Sequence, residues 1–258
     1  MSFWHRDYVS LIESLSAIRK CLGGVGDFLQ ASDKQGRVIL RHDVDRRPEK
    51  ACALARLEHA AGVRSTYYFR VNTSGEFPAA AIADIASNGH EIGYHYEDLS
   101  ASGGDRTQAL ARFHRNLAEL RKLVPCATVS MHGAPLSRYD NQDLLHADDL
   151  AHAGLLGDAV ASVRPFSPFY LTDTGGRWLA TQSNLRDRVG DAWPHDALPD
   201  AGQAFQTFIK RTARPLYIST HPERWSASLV DYCTVKILDL AANSIKRALR
   251  AARPAAHS

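Results

Sequence analysis

The chain has 258 residues, 45% of them hydrophobic and 23% charged, with a formal net charge of +3. That balance gives enough apolar residues for a large core, and it leaves no apolar run of membrane-spanning length and no basic surface of the kind nucleic acid requires. Much of the positive excess falls on Lys236, Lys246, Arg247, Arg250 and Arg253, near the end of a helix whose dipole they complement. Four scattered cysteines, Cys21, Cys52, Cys126 and Cys233, form no CxxC pair and suggest neither a thiolate zinc site nor a disulfide framework. The start, MSFWHRDYVSLIESL, lacks the basic and apolar blocks of an export signal, so the expected location is the cytoplasm.

Tyr8, Leu11, Leu15, Ile18 and Leu22 recur at helical spacing and predict an amphipathic helix from Asp7 to Leu22, stopped by Gly23-Gly24. Val38-Ile39-Leu40 then leads into Arg41-His42-Asp43-Val44-Asp45, a buried strand that delivers a His and two carboxylates. Pro48 opens a helix that ends at Gly62, and Ser65 to Phe69 is β-branched and aromatic, which completes a βαβ unit. The pattern repeats. A helix runs from Phe77-Pro78 to about Ser87, a strand from Glu91 to Tyr96, a long helix through Leu110, Phe113, Leu117, Leu120 and Val124, and a strand from Thr128 to His132. Gly133 to Asp158 reads as a long irregular connection, and Pro168 to Thr172 as a strand followed by a polar loop, Asp173 to Trp178. More loop passes through Asp191, Pro194, Pro199 and Asp200. A short helix from Phe205 to Arg211, a strand from Pro215 to Thr220 and a closing helix from about Ser228 to Arg253 end the chain. Strands alternating with helices imply a parallel α/β sheet or barrel, here one domain spanning 1–258 with no repeat and no linker.

The polar residues gather at the carboxyl ends of these strands, which is where active sites form in such folds. Asp43 and Asp45, then His95, then His132, then His221 stand there. Two carboxylates that close call for a cation or a shared proton, so the pair reads as a metal site or an acid/base pair. The alternative is that Asp45 caps the following helix while Asp43 makes a surface ion pair. Imidazole and carboxylate together are the usual ligands of a catalytic zinc or a similar ion.

Asn88-Gly89-His90-Glu91-Ile92-Gly93-Tyr94-His95 resembles the second motif of the polysaccharide deacetylases, the NodB-homology group or carbohydrate esterase family 4. His42-Asp43-Val44-Asp45 is similar to that family's first motif, and Ile218-Ser219-Thr220-His221 falls where its last belongs, so the resemblance covers roughly residues 37–225. It implies a distorted (β/α) barrel with fewer than eight strands, flanked here by extra N- and C-terminal helices. It also implies metal-dependent removal of an acyl group from an amide, with Asp45 and His95 as ligands, Asp43 as general base and His221 as general acid. His90 matches a position that is not a ligand and reads as structural. One departure matters: the further ligand His expected four residues after the first is Leu99. His132 is the first replacement and Glu97 the second, although His132 would also suit a hydrogen bond to substrate. The family's Arg-x-Pro motif is not recognisable.

Tyr139, Arg177, Trp178, Arg224 and Trp225 lie in loops after the strands, where aromatic faces stack on sugars and arginine forks onto carboxylate or phosphate. Each Trp equally suits a place packed beneath its loop. The expected function is hydrolysis of an N-acyl group, acetyl first, from an amino sugar, nucleotide-linked or lipid-linked, in surface-polysaccharide assembly. The expected cofactor is one divalent ion: zinc first, with nickel, cobalt and manganese as alternatives. A ureide-type C–N hydrolase and a sugar-binding protein with a decayed metal site are the rival readings.

Overall fold

In the computed structural model the described residues are 3–18, 20–134, 137–174, 188–192, 213–235 and 237. The strands among them are β1 (Leu22–Gly23), β2 (Val38–Val44), β3 (Thr66–Phe69), β4 (Glu91–Tyr96), β5 (Thr128–Met131), β6 (Gly157–Asp158), β7 (Phe169–Thr172), β8 (Asp191–Ala192) and β9 (Leu216–Thr220). The helices are α1 (His5–Ser16), α2 (Val25–Gln30), α3 (Pro48–Ala60), α4 (Ala79–Ser87), α5 (Asp98–Ala101), α6 (Arg106–Leu123) and α7 (Ala147–His152). All the strands join one parallel sheet in the order β6-β5-β4-β3-β2-β9-β7-β8, with β1 beside the first half of β2. Six strands have four or more residues, and among the described residues no pairing joins β6 to β8. The architecture is a distorted, open (β/α) barrel short of eight full strands.

Alternation along the strands sorts the core into an inside and an outside. On β2, Ile39 belongs to the main cluster, whereas Val38 and Leu40 join a second one. On β9, Tyr217 goes to the first while Leu216 and Ile218 go to the second. That second cluster is where α1 lies, through Tyr8, Leu11, Ile12 and Leu15, so the helix packs on the sheet from outside as its periodicity predicts. No helix among the described residues is long and apolar enough to cross a membrane.

The structure corrects several boundaries. The first helix stops at Ser16 rather than Leu22, and Leu22-Gly23 become β1 because their backbone pairs with Val38 and Ile39. α2 follows at once, a helix too short to show periodicity. The connection from Gly133 to Asp158 is only partly irregular, since it carries α7, β6 and a 3₁₀ turn, Asn141–Asp143. Buried Asn141 docks that stretch by donating to the His132 carbonyl at 2.8 Å and accepting from the Ser100 amide at 2.9 Å. Asp191 pairs in β8 instead of lying in loop. The expected helix at Phe205 to Arg211 lies outside the described residues. The closing helix is present over residues 229–235, and most of its predicted extent likewise falls outside them.

Two glycines are dictated by geometry. Gly62 takes a positive φ of 66° to end α3, which a side chain would resist. Gly93, inside β4, lies under the Tyr68 ring, and any side chain there would collide with it.

Candidate metal centre and its flanking dyads

β2 sits at the centre of the sheet, with β3 on one side and β9 on the other, so successive strands diverge from it and open a crevice at their carboxyl ends. Polar side chains line that edge: Asp45 after β2, Arg70 after β3, His95 on β4 with Glu97 just beyond, His132 after β5, Asp173 after β7 and His221 after β9.

Asp45 Oδ1 lies 3.6 Å from His95 Nε2 and 3.8 Å from His132 Nε2, and donor atoms of the three residues lie within 4.8 Å of one another. The inner nitrogens are fixed by what the outer ones do. His95 Nδ1 donates to the Ser130 carbonyl at 3.0 Å and His132 Nδ1 to Glu97 Oε2 at 2.9 Å, so each ring turns an Nε2 lone pair to Asp45. Burial pushes His95 down to about 4, which keeps the ring neutral as a ligand must be. Asp45 Oδ1 is itself buried and has no hydrogen-bond partner. An anionic oxygen left bare between two imidazole lone pairs is costly without a cation, and this donor set suits zinc or a related divalent ion with positions left over. The residues fit a metal.

The geometry separates the two candidates for the missing ligand. His132 converges on the site, whereas Glu97 is occupied behind it by His132 and by Arg70 Nη2 at 2.6 Å. Against the cost of burial, those two hydrogen bonds hold Glu97 at about 2, so it is a carboxylate that orients an imidazole. Leu99 is 6% exposed and packs in the main core, with no place in the site.

Asp43 is fully buried, and Arg41 grips it with both arms, Nε to Oδ1 at 2.8 Å and Nη2 to Oδ2 at 2.6 Å. Burial opposes its charge, but Arg41 and then His95 lower its pKa, so it stands ionised and ready to accept a proton. The Arg41 guanidinium lies 5.3 Å from the Tyr68 ring centroid, and Tyr217 accepts from it at 3.1 Å. Across the site, His221 Nδ1 donates to Asp173 Oδ1 at 2.7 Å, and the His221 amide donates to Asp173 Oδ2 at 2.9 Å. Burial disfavours the charged ring, yet Asp173 overrides it and lifts His221 to about 9. The centre is thus flanked by an ionised carboxylate and a protonated imidazole.

His42, one residue before Asp43, points the opposite way. Its ring meets Thr220 Oγ1 at 2.6 Å and Glu58 Oε1 at 2.8 Å, and Tyr8 and Ser65 also donate to Glu58. His90 has the structural role expected of it, bonding the Ala55 carbonyl at 2.9 Å beside the same carboxylate.

Sequence reasoning passed over Arg41, Arg70, Asp173 and Glu223. Arg41 carried a signal, because an Arg inside an apolar strand two residues before a carboxylate shares its face. Arg70 and Asp173 each directly follow a strand, and asking what ends every strand, not only those ending in His, would have found them. Glu223 stands in a 3₁₀ turn, Pro222–Arg224, where burial and the nearby Asp45 charge push its carboxyl up to about 7.

The expected substrate-contacting residues fare less well. Trp225 is fully buried, edge-on to Phe3 and Tyr8 at 5.2 and 4.8 Å between centroids, so it is a core residue with no face for a sugar. Trp225→Ala is expected to cost about 3–5 kcal/mol of stability in denaturant unfolding, with a much smaller loss for Trp225→Phe. Tyr139 packs its ring on Gly104 and receives a hydrogen bond from Arg138, which ties it into its own loop. Arg224 Nε lies 3.9 Å from Asp173 Oδ1, beside the His221 dyad. Arg177 and Trp178 lie outside the described residues.

No family model matches the chain, and no curated protein matches it either. Solved structures do resemble it. A Streptococcus mutans CE4 esterase matches at 14% identity over 88% of this chain and 86% of its own, with a TM-score of 0.45. The peptidoglycan deacetylase PdaC from Bacillus subtilis matches at 13% over 84% and 99%, with a TM-score of 0.40. A CE4 family pseudoenzyme from Bacillus anthracis matches at 14% over 84% and 62%, with a TM-score of 0.39. Likeness at that level does not speak to chemistry, which the side chains themselves have to carry.

Proposed function

We propose that this chain is a metal-dependent hydrolase of amide C–N bonds. Within that class we assign it to the removal of an N-acyl group, acetyl first, from an amino sugar. The observation that carries the reading is the convergence of Asp45, His95 and His132 on one point, with a buried carboxylate and a cationic imidazole on either side. A divalent ion held by the three would polarise an acyl oxygen and ease the deprotonation of water. Asp43 takes a proton from the attacking water, and Arg41 keeps that carboxylate ionised and aimed. His221 gives its proton to the nitrogen as the C–N bond breaks, which turns a poor leaving group into an amine. Asp173 keeps His221 charged until that step. Reversing the two proton transfers with solvent returns Asp43 to carboxylate and His221 to imidazolium, leaving a free carboxylic acid and an amine.

The test is release of acetate from N-acetylated amino sugars offered free, nucleotide-linked and lipid-linked, beside a panel of ureides. Release is expected from a sugar, lost on chelation and restored by zinc, nickel, cobalt or manganese. Full activity after the ion is stripped, or turnover of ureides alone, would overturn the reading.

A further inference from the structure

We propose that Glu223 is a second carboxylate of the cation site, adding its charge to Asp45, His95 and His132 from the loop that follows β9. The inference rests on the metal reading above and concerns a residue outside the ligand set.

Three observations lead to it. Glu223 Oε2 is buried and has no hydrogen-bond partner, which is the condition of Asp45 Oδ1 as well. The turn that carries Glu223 packs against β2, and the Glu223 and Asp45 carboxylates act on each other electrostatically. Two buried carboxylate oxygens without hydrogen-bond partners that act on each other repel and forfeit hydration, a cost that a cation between them would remove. The cations of the chain bond neither oxygen: the His221 imidazolium and Arg224 act on Glu223 only through space, and the His221 Nδ1 proton goes to Asp173. Arg70 Nη1 stays 3.8 Å from Asp45 Oδ1 because its other arm is hydrogen-bonded to Glu97.

The turn is also held firmly. Lys50 Nζ donates to the carbonyls of Glu223 at 2.9 Å and Trp225 at 3.2 Å and pairs with Asp231 at 2.6 Å. Glu223 therefore cannot simply swing out to water by moving its backbone. It is not among the three residues whose donor atoms cluster within 4.8 Å, so its contribution is charge close to the ion rather than a fourth close ligand. Partners of that kind are worth about 10–100-fold in metal affinity.

The experiment measures the zinc dissociation constant of the full chain at pH 7.5 by competition with a chromogenic chelator. Wild type is compared with Glu223→Gln, with Glu223→Asp, and with Glu119→Gln, a change at an exposed acid paired to Lys122 on α6. Glu223→Gln is expected to bind zinc about tenfold or more weakly, Glu223→Asp to fall between, and Glu119→Gln to match wild type. The unfolding midpoint of Glu223→Gln in excess chelator should stay level or rise, because the substitution removes an unpaired buried charge. Wild-type affinity in both Glu223 variants overturns the proposal. A wild-type chain that binds no zinc overturns it together with the metal reading. Weakened zinc binding in Glu223→Gln supports it even if no acylated sugar is ever hydrolysed.

Discussion

Replacing His132 with alanine is expected to abolish both divalent-ion binding and hydrolysis, although His132 lies outside the motif that supplies His95. The chain has Leu99 where a second motif histidine would stand, so the site is complete only if another element brings an imidazole to Asp45 and His95. β5 does so, and Asn141 and Glu97 fix the backbone and the ring of the residue it delivers. Folded zinc sites are worth about 10–16 kcal/mol in all, so the share of one ligand is on the order of 3 kcal/mol, or about a hundredfold in affinity. Elemental analysis of untagged protein should find a divalent ion in wild type and none in Asp45→Ala, His95→Ala or His132→Ala. Glu97→Gln should keep the ion but hold it about tenfold more weakly, since it loses the orienting charge and not a ligand. Adding Leu99→His to His132→Ala should rescue nothing, because residue 99 faces the core. An ion retained by His132→Ala and lost in Glu97→Gln would reverse the two roles.

The second large effect concerns the proton that His221 carries. Asp173 is what raises His221 to about 9, against burial and against the neighbouring Arg224 charge. With Asp173→Asn both opposing influences remain and only the weaker pull of Asp43 still raises the ring, so it is expected to titrate below the ordinary histidine value of about 6.5. At pH 7.5 it would then be neutral and unable to protonate a leaving amine. The basic limb of kcat should move from near pH 9 to below about 6.5, and kcat at pH 7.5 should fall about tenfold or more with little change in KM. A limb that stays near 9 in the Asn variant would show that His221 is not the acid.

Stability carries the same signature. The folded-state pKa of His221 lies above the unfolded value near 6.5, so the stabilisation from its pairing is complete below that pH and is lost as pH rises through about 9. Its size is on the order of 3 kcal/mol. Wild type should therefore lose stability between about pH 6.5 and 9, and Asp173→Asn should lose much less over that window. Chemical unfolding across this range, read beside the kcat profile, separates a catalytic role for the dyad from a purely structural one.

Local patterning carried most of the fold and half of the site. The apolar run before Asp43, Pro48 at a helix start and the helical spacing through Phe113, Leu117 and Leu120 are short-range signals, and the structure follows them closely. Asp45, His95, His132 and His221 were legible for the same reason, because a strand's carboxyl end can be read from the strand itself. Sequence alone could not say which side chains those ends would meet. Trp225 and Tyr139 looked available for a sugar, and only packing shows one sealed against Phe3 and Tyr8 and the other tied into its loop. Sequence ranks His132 ahead of Glu97 as a ligand, and the β4–β5 register then turns one ring to Asp45 and keeps one carboxylate behind it. Arg41 with Asp43 is a contact within one strand, whereas Asp173 with His221 joins residues that directly follow neighbouring strands far apart in the chain. Residue type and spacing therefore determined which groups reach the edge of the sheet. Strand order and burial decided which of them pair, and so which carry a charge, because a side chain's charge state depends on neighbours that only the folded chain brings near.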